Sequence, residues 1–410
     1  MFSAQRCDGA QISLINKTWS REELERERIH FNFHCPKCKE KLILKLGAYQ
    51  AWHFAHHRNS SCSSSNKGET KEHLQGKWLL LKWLQSHGYG PQEEYYIKEI
   101  KQRPDIFVRI EGKDYVFELQ RSALSEKQFG KRQQLYEQYG ITAVWVGFTN
   151  PNVNHDRLEF PCRFLDNLLI RTNPKQHSIY LNIANEEWLV LSEFLYYSPK
   201  KLFVRANTLP LVHPPGDLLY LRNLTPKASS SYYYEMFFKK WYKETKTKRL
   251  KRYLSLTSTE RKILKLFQVF HLNLNYFPAL ASLPLKTNIN FITSPQWWQS
   301  WLILNVINKK PVNHLLRVSE TSDALYKAVT EGIIIVRPLG LHHKLLIRDA
   351  ILEYLSCLSL FDVVEKTYPG VYKIKNHINI NKQLDTLCMD DVFVLQKFKE
   401  EWENENIFRI

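Results

Sequence analysis

Residues 103–120, RPDIFVRIEGKDYVFELQ, decide the fold because they predict a β-hairpin. Two runs rich in branched and aromatic residues, 104–110 and 115–120, have the alternating pattern of short strands. Between them, the segment Glu111-Gly112-Lys113-Asp114 supplies the small and polar residues of a tight turn. The chain therefore contains two antiparallel strands with an acidic residue near the open end of each.

The register of this hairpin decides which side chains meet. If the hairpin closes at the middle of the turn, Ile110 faces Tyr115, and Asp105 faces Gln120. Because side chains alternate along a strand, Asp105, Glu118 and Gln120 emerge on one face of the sheet. Two carboxylates and an amide in a basic protein suit a divalent metal beside a phosphodiester, which is typical of a nuclease. The alternative is an ordinary hairpin with exposed acids.

A helix predicted over residues 69–86 precedes the hairpin. Glu69, His73 and Lys77 occur at positions i, i+4 and i+8, so they share one stripe of that helix. Such a stripe is commonly a solvated face, but its place just before the hairpin favours packing against the sheet. Further elements complete an α/β core of order αβββαβ: strands at 94–99 and 141–146 and a helix at 126–139.

The acids of this core predict a metal site. We expect Asp105, Glu118 and Glu69 to hold Mg²⁺ or Mn²⁺, because these ions prefer oxygen ligands and retain waters. The backbone carbonyl of Leu119 is a possible further ligand.

Other polar side chains have predicted catalytic or binding roles around this metal. Gln120 would position a water, and Lys77 or His73 would balance the developing charge on the phosphate. On the following helix, Arg132 and Tyr136 are spaced i, i+4 and would hold a phosphate or stack on a base. The alternative for this last pair is the polar edge of an amphipathic helix.

A cysteine and histidine cluster near the start predicts a second metal. Cys35 and Cys38 form a C-x2-C pair, and His53 and His56 follow at H-x2-H spacing. Two thiolates and two imidazoles suit tetrahedral zinc, here in a structural role. The alternative is a reduced cysteine pair beside a histidine that only packs. Two further residues compete as ligands: His57 and Cys62.

Charge and cysteine content limit the class of protein. Among 410 residues, 58 Lys and Arg face 41 Asp and Glu, for a net charge of +17 that favours a polyanionic partner such as DNA. No apolar run approaches the roughly 20 residues that span a bilayer, and the first residues lack a signal-peptide core. Seven cysteines argue against a disulfide framework. We therefore expect a cytoplasmic protein without membrane insertion.

Polar linkers divide the chain into three predicted regions. Residues 1–66 form a small zinc-finger-like module, 67–150 the α/β core, and 160–410 a basic, mostly helical region. Linkers are predicted near 59–66 and 149–152. In the last region, helices are expected near 258–271, 295–308, 320–330 and 341–358.

A basic and aromatic tract lies in the last region. Residues 227–265 contain twelve Lys or Arg and three acidic residues, interleaved with Tyr, Phe and Trp. Cations for phosphates and rings for stacking favour a single-stranded nucleic-acid track, although some rings must fill the core. The predicted contact residues are Lys239, Lys240, Trp241, Lys248, Arg249, Lys251 and Arg252.

These motifs together resemble the competence protein CoiA family. The resemblance is close over residues 1 to about 150, and residues 160–410 resemble the family's less distinctive C-terminal region. The matching segments are Cys35-x2-Cys38 with His53-Phe-Ala-His56, Glu69-x3-His73-x3-Lys77, Arg103-Pro-Asp105, Phe117-Glu-Leu-Gln-Arg-Ser122, Arg132-x3-Tyr136 and Val144-Trp-Val146.

The resemblance implies a PD-(D/E)xK-type nuclease fold behind a zinc-finger-like module. It also implies a role in natural transformation, on incoming single-stranded DNA near the RecA-type recombinase. The lysine of the general nuclease pattern is replaced by Gln120, which cannot supply a positive charge. Lys77 would substitute for it from the helix, and the CoiA-like pattern itself accepts glutamine.

Three functions follow from these patterns. The first is a metal-dependent DNA nuclease that acts on single-stranded or branched intermediates of transformation and recombination. The second is a non-cleaving single-stranded DNA-binding mediator that keeps a nuclease-like fold, which Gln120 favours. The third is a restriction-like or toxin-like nuclease unrelated to DNA uptake.

Overall fold

The structure is a computed structural model of the 410-residue chain. It describes residues 1–14, 19–36, 38–48, 52–57, 60, 70–122, 124–149, 158–172, 175–226, 228–339 and 342–403. The chain divides into two compact units. The first comprises Met1–Asn154, Thr172–Val190 and Asn207–Thr225, and the second comprises His155–Arg171, Leu191–Ala206 and Pro226–Ile410.

The N-terminal module is an antiparallel sheet of short strands with one helix. Its strand order is β2-β1-β3-β4-β5. The helix begins with the predicted capping box, in which Ser20 and Glu23 each bond the other's backbone N–H. The elements are β1 Ser3–Arg6, β2 Gln11–Ser13, α1 Arg21–His30, β3 Phe33–His34, β4 Lys41–Lys45 and β5 His53–His56.

The predicted order αβββαβ is present in the next segment. Its elements are α2 Lys71–Ser86, β6 Gln92–Glu93, β7 Ile106–Ile110, β8 Lys113–Gln120, α3 Glu126–Gln138 and β9 Thr142–Phe148. Strands β6, β7 and β8 are antiparallel neighbours, and β9 pairs with β8 in parallel. The predicted strand at 94–99 is wrong, because Glu94 takes a positive φ of 49° and ends the extended run.

The hairpin closes two residues tighter than predicted. Ile110 pairs with Lys113, which leaves Glu111 and Gly112 as a two-residue turn with φ of 49° and 78°. Positive φ at both central residues is the geometry that matches the twist of paired strands. Because the error in register is two residues, Glu118 keeps the face predicted for it, whereas Asp105 lies one residue before β7 and outside the paired register.

The sheet continues beyond the predicted core. Strand β11 pairs in parallel with β9, and the described strands follow the order β10-β13-β12-β11-β9-β8-β7-β6, with β14 on β13. The expectation of a mostly helical region from residue 160 onward is therefore wrong for its first part. The sequence did not predict these strands because strands buried on both faces are continuously hydrophobic and lack the alternation of polar and apolar residues. The elements are β10 Glu159–Pro161, α4 Phe164–Leu169, β11 His177–Asn182, β12 Glu187–Ser198, β13 Lys201–Pro210, α5 Pro215–Leu219 and β14 Thr225–Pro226.

The rest of the second unit is mainly helical, as predicted. The capping box of Thr257 and Glu260 opens one helix, and Ser294 precedes the first-turn proline of another. Short 3₁₀ turns lie at Leu274–Tyr276, Ala279–Ser282 and Lys286–Asn290. The other elements are α6 Ser230–Arg249, α7 Ser258–Val269, α8 Pro295–Leu302 with a π turn at Ile303–Ile307, β15 Leu315–Arg317, α9 Val318–Thr330, α10 His343–Ser359, β16 Val364–Tyr368, β17 Val371–Ile374 and α11 Leu384–Glu403.

Candidate functional site

Helix α2 lies unusually close to the sheet at Gly76. A Cβ atom at this position would be 2.7 Å from Phe148 Cε1 and 2.8 Å from Leu119 Cδ2, closer than carbon atoms pack. Glycine therefore permits the helix to rest directly on β8 and β9. His73 and Lys77, on the same side of α2, are thereby carried to the edge where the predicted acids lie.

Asp105 is bound on both carboxylate oxygens. Its Oδ1 lies 3.2 Å from His73 Nε2, and its Oδ2 accepts a 2.8 Å hydrogen bond from the Leu119 N–H. Burial raises the pKa of Asp105. The opposing effects are larger, so the pKa lies below its ordinary value: they are the hydrogen bond from His73, the charges of His73 and Lys77, and the hydrogen bond from the Leu119 amide. About a fifth of each of the Asp105 and His73 side chains is exposed, so solvent reaches this pair.

Glu118 is more deeply buried and is held from helix α3. Its side chain is 2% exposed, and Oε1 accepts hydrogen bonds from Tyr136 Oη at 2.5 Å and from Arg132 Nη2. Burial raises the pKa of Glu118 to about 8, against the opposing charge of Arg132, and the charge of Asp105 adds to the rise. The predicted i, i+4 pair of α3 therefore contacts the acid itself.

The structure brings together most of the predicted acid cluster. Asp105 and Glu118 interact electrostatically, and Gln120 ends the same strand, half-buried. Glu69 lies outside the described residues, so its role stays a prediction. Within the described part of the chain, no third His, Cys, Asp or Glu donor completes a compact metal-ligand cluster at this place.

Lys77 occupies a different position from the one predicted. Its side chain is fully buried, and Nζ lies 3.0 Å from Glu93 Oε1 and 3.1 Å from Glu94 Oε1. The other oxygen of Glu93 accepts a 2.8 Å hydrogen bond from the N–H of Phe2, in the N-terminal module. Lys77 is thus engaged in an internal ion pair, and the predicted phosphate contact is not supported. The sequence did not predict Glu93 and Glu94 as partners of Lys77, because a loop separates them from α2.

Three of the four predicted zinc ligands meet in the N-terminal module. The ligand atoms of Cys35, Cys38 and His56 all lie within 4.8 Å of one another, with Cys38 Sγ 3.4 Å from His56 Nε2. Burial lowers the pKa of His56 and so favours the neutral imidazole that can bind a metal. The cluster does not include His53, because side chains three residues apart on β5 point to opposite faces.

The two alternative ligands have different standings. His57 is described, is exposed, and does not belong to the cluster. Cys62 lies outside the described residues. The donors that meet here, two sulfurs and one nitrogen, are those that zinc prefers.

The basic tract on α6 is only partly available to a ligand. Trp241 is 3% exposed, and its indole N–H donates to the Ser282 carbonyl at 2.9 Å. Arg249 is fully buried and forms two hydrogen bonds, of 3.0 and 2.7 Å, with Asp391. These two predicted nucleic-acid contacts are therefore core residues of the second unit.

The other cations of the tract differ in exposure. Lys248 is mostly buried and donates to Ser294 Oγ at 2.7 Å, and burial lowers its pKa to about 8. Lys240 is half-buried and forms an ion pair with Glu159. Of the predicted contact residues, three remain on the surface: Lys239, Lys251 and Arg252. Their role in DNA binding stays a prediction.

Comparison with known proteins places these features in one family. The model described as "Competence protein CoiA, N-terminal domain" matches residues 16–65, the "nuclease-like domain" of the same protein matches 69–220, and its "C-terminal domain" matches 237–387. The chain belongs to the CoiA family. Competence protein CoiA of Bacillus subtilis (strain 168) is 27% identical over 291 residues, which cover 69% of this chain and 73% of that protein. No solved structure gives a significant match.

The CoiA domain matches follow the architecture closely. The N-terminal match contains the Cys35, Cys38 and His56 cluster, and the nuclease-like match contains Asp105 and Glu118. The nuclease-like match runs to residue 220 and so includes β11, β12 and β13, beyond the predicted boundary at 150. Within the described residues, no helix is both long and apolar enough to cross a membrane.

Proposed function

We propose that this CoiA-family protein is a metal-dependent DNA nuclease that acts on intermediates of transformation and homologous recombination. The observation that carries the proposal is the position of Asp105, which bonds His73 of α2 and the backbone N–H of Leu119, the residue after Glu118. Glu118 is in turn bonded by Arg132 and Tyr136 of α3. The order αβββαβ, the nuclease-like family match and the net charge of +17 support it.

The donor set fits Mg²⁺ or Mn²⁺. Burial and, to a smaller extent, the charge of Asp105 raise the pKa of Glu118, and a divalent cation would relieve both effects and favour the ionised form of Glu118. Asp105 and Glu118 would hold the ion, with Glu69 as a third candidate. When bound, the ion supplies positive charge that stabilises the phosphate as negative charge develops on it.

The chain's own residues have separate roles in this proposal. His73 Nε2 lies 3.2 Å from Asp105 Oδ1 and orients this carboxylate at a place that solvent reaches, because both side chains are partly exposed. Arg132 and Tyr136 orient Glu118, so they act as positioning residues. Gln120 can orient a water by hydrogen bonds but adds no charge.

The substrate, partners and location are also proposed. DNA with single-stranded or branched character suits a protein of transformation, where a RecA-type recombinase is the expected neighbour in the cytoplasm. The basic surface residues Lys239, Lys251 and Arg252 would add phosphate contacts outside the acid pair.

A cleavage panel tests the nuclease proposal. Single-stranded, duplex and branched DNA are incubated with the protein and Mg²⁺ or Mn²⁺, and we expect shortened products that disappear with Asp105→Asn and with Glu118→Gln. Asp114→Asn is the matched control, since Asp114 lies on the same hairpin but pairs with Arg109 at 2.7 Å. Equal cleavage by Asp105→Asn and the wild type would refute the proposed site.

A second function, a non-cleaving DNA-binding mediator, is favoured because the lysine of the general nuclease pattern is absent. Gln120 stands at the usual position, and Lys77 is held between Glu93 and Glu94. Neither residue therefore supplies a cation that can move to the phosphate. The same panel separates the two functions, because a mediator would retard single strands on a gel without shortening them in any metal.

We also propose a structural zinc ion bound by Cys35, Cys38 and His56. Metal analysis of the purified protein should find about one zinc per chain. Cys38→Ser and His56→Ala should lose it, whereas His53→Ala, the matched control on the same strand, should retain it. Zinc lost from His53→Ala but kept by His56→Ala would contradict the assignment.

A further inference from the structure

The end of the second unit has the element order of a winged helix. Helix α8, strand β15, helices α9 and α10, and the hairpin of β16 and β17 follow one another along the chain. The three strands form an antiparallel sheet of order β15-β17-β16. In DNA-binding folds built on a helix pair, the second helix of the pair enters the major groove. Here that helix is α10, and the β16–β17 hairpin corresponds to the wing.

Helix α10 has a buried face and a basic exposed face. Ile347, Ile351 and Tyr354 are fully buried at i, i+4 and i+7 spacing. Lys344 and Arg348 are exposed near the N-terminal end of the helix, one turn apart, beside exposed Leu345 and Asp349. The helix is therefore anchored by its apolar side and presents two cations outward.

These cations belong to a basic cleft of about 700 Å³ between α9, α10 and the wing. Four cations and one acid line it: Arg317, Lys344, Arg348, Lys366 and Asp323. The Lys344 ammonium lies 5.1 Å from the centre of the Tyr326 ring, which supports it without removing its charge. Such an excess of cations in a concave surface attracts a polyanion.

The shape and lining favour duplex DNA over a single strand. An α-helix about 10–12 Å across fits a major groove about 12 Å wide. A single-strand track needs aromatic rings for stacking, and the described residues that line the cleft include none. The α9–α10 connection spans residues 331–342, longer than a simple helix-turn-helix turn, so the likeness to a winged helix consists of the helix pair and the wing.

We propose that the C-terminal part of this chain binds duplex DNA, with α10 in the major groove and the wing on the adjacent backbone. Lys344 and Arg348 contact the DNA from the helix, and Lys366 contacts a phosphate from the wing. This surface lies in a different unit from Asp105 and Glu118, and its binding requires no cleavage. It goes beyond the proposed nuclease function and does not depend on it.

Binding of the full chain to a labelled duplex of about two helical turns tests the proposal. Fluorescence anisotropy is measured in an Asp105→Asn background without added Mg²⁺ or Mn²⁺, which prevents cleavage at the proposed site and leaves the proposed zinc in place. A failed nuclease proposal therefore does not affect the result. The double variant Lys344→Glu, Arg348→Glu should bind about tenfold more weakly, and the slope of log K against log salt should fall by about 2. The matched control is Lys41→Glu, Lys45→Glu, which makes the same charge change at two exposed positions four residues apart on β4. It should change duplex affinity by less than about twofold.

Three outcomes would overturn the proposal. One is an equal loss of affinity in both double variants, which would show an effect of net charge alone. Another is tighter, Lys344-dependent binding of a single strand of the same length. The last is unchanged duplex affinity in the milder variant Lys344→Gln, Arg348→Gln, which keeps the helix polar and decides the matter if the charge-reversed protein folds poorly.

Discussion

The two candidate sites of this protein use basic residues in opposite ways. At the acid pair of the first unit, the cations are internal: Lys77 is fully buried against Glu93 and Glu94, and Arg132 is bonded to Glu118. In the cleft of the second unit, Lys344 and Arg348 are exposed. Buried cations satisfy acids of the same chain, whereas exposed cations remain available to a ligand.

This contrast implies different consequences for substitution. Removing a buried partner leaves an uncompensated charge inside the protein, which costs folding free energy. Removing an exposed cation leaves folding nearly unchanged and weakens only the binding of a polyanion. Stability measurements and binding measurements should therefore separate the two sites.

The largest effect is expected from Lys77→Ala. It leaves two buried or half-buried glutamates without their cation and should lower the free energy of unfolding by about 3–5 kcal/mol. Urea denaturation measures the change. A loss no larger than that of an exposed lysine, such as Lys239→Ala, would show that the buried pair is not formed.

The next effect concerns the pH dependence of stability through Glu118. Its pKa is about 8 in the folded chain, against an ordinary value of 4.5, so the folded state binds the extra proton between these limits. The stability linked to this proton is complete below about pH 4.5 and is lost as pH rises from there through 8, at about 1.4 kcal/mol for each pH unit of that window. Unfolding of the wild type should thus become easier towards pH 9 than unfolding of Glu118→Gln.

A metal titration sharpens the same measurement. If Mg²⁺ or Mn²⁺ binds beside Glu118, saturating metal should stabilise the ionised carboxylate and remove most of this pH dependence. An unchanged pH profile with metal would argue against Glu118 as a ligand.

A smaller effect is expected where α2 touches the sheet. Gly76→Ala places a methyl group 2.7 Å from Phe148 Cε1 and should cost about 1–3 kcal/mol through overpacking. Gly130→Ala on α3 is the control, because nothing lies within 4 Å of its added Cβ. The control should stabilise by up to about 1 kcal/mol through helix propensity, so a similar response from both variants would disprove the close contact.

The smallest effect on folding is expected from Lys344→Ala in the basic cleft. Its unfolding free energy should stay within about 0.5 kcal/mol of the wild type, while its affinity for duplex DNA falls measurably. A loss of stability comparable to that of Lys77→Ala would show that Lys344 stabilises the fold, and the contrast between the two sites would then be wrong.

Much of the fold around the acids could be predicted from the sequence. The hairpin, the capping boxes and the order αβββαβ depend on turn residues, caps and alternation, which act over a few neighbouring positions. The place of Glu118 on β8 follows for the same reason, whereas Asp105 lies just before β7 begins at Ile106. The error of two residues in register came from the turn, where Glu111 adopts a positive φ that a glutamate does not predict.

The sites were less predictable because their partners are distant in sequence. Lys77 and Glu93 are separated by a loop, and Arg249 meets Asp391 from the far end of the chain. A basic residue within a basic tract is predicted to be exposed, and only the tertiary packing shows that it is buried. The strands after residue 158 were hidden similarly, since a continuous hydrophobic run fits a buried strand or a helix.

The sequence by itself determined the local elements, the pair of acids on neighbouring strands and the excess of positive charge, because these follow from backbone preferences and composition. Only the tertiary structure decided which cations are neutralised inside and which remain on the surface, and which histidine joins the two cysteines. The physical reason is that burial and charge pairing are properties of groups brought together from separate segments, and no local pattern specifies them.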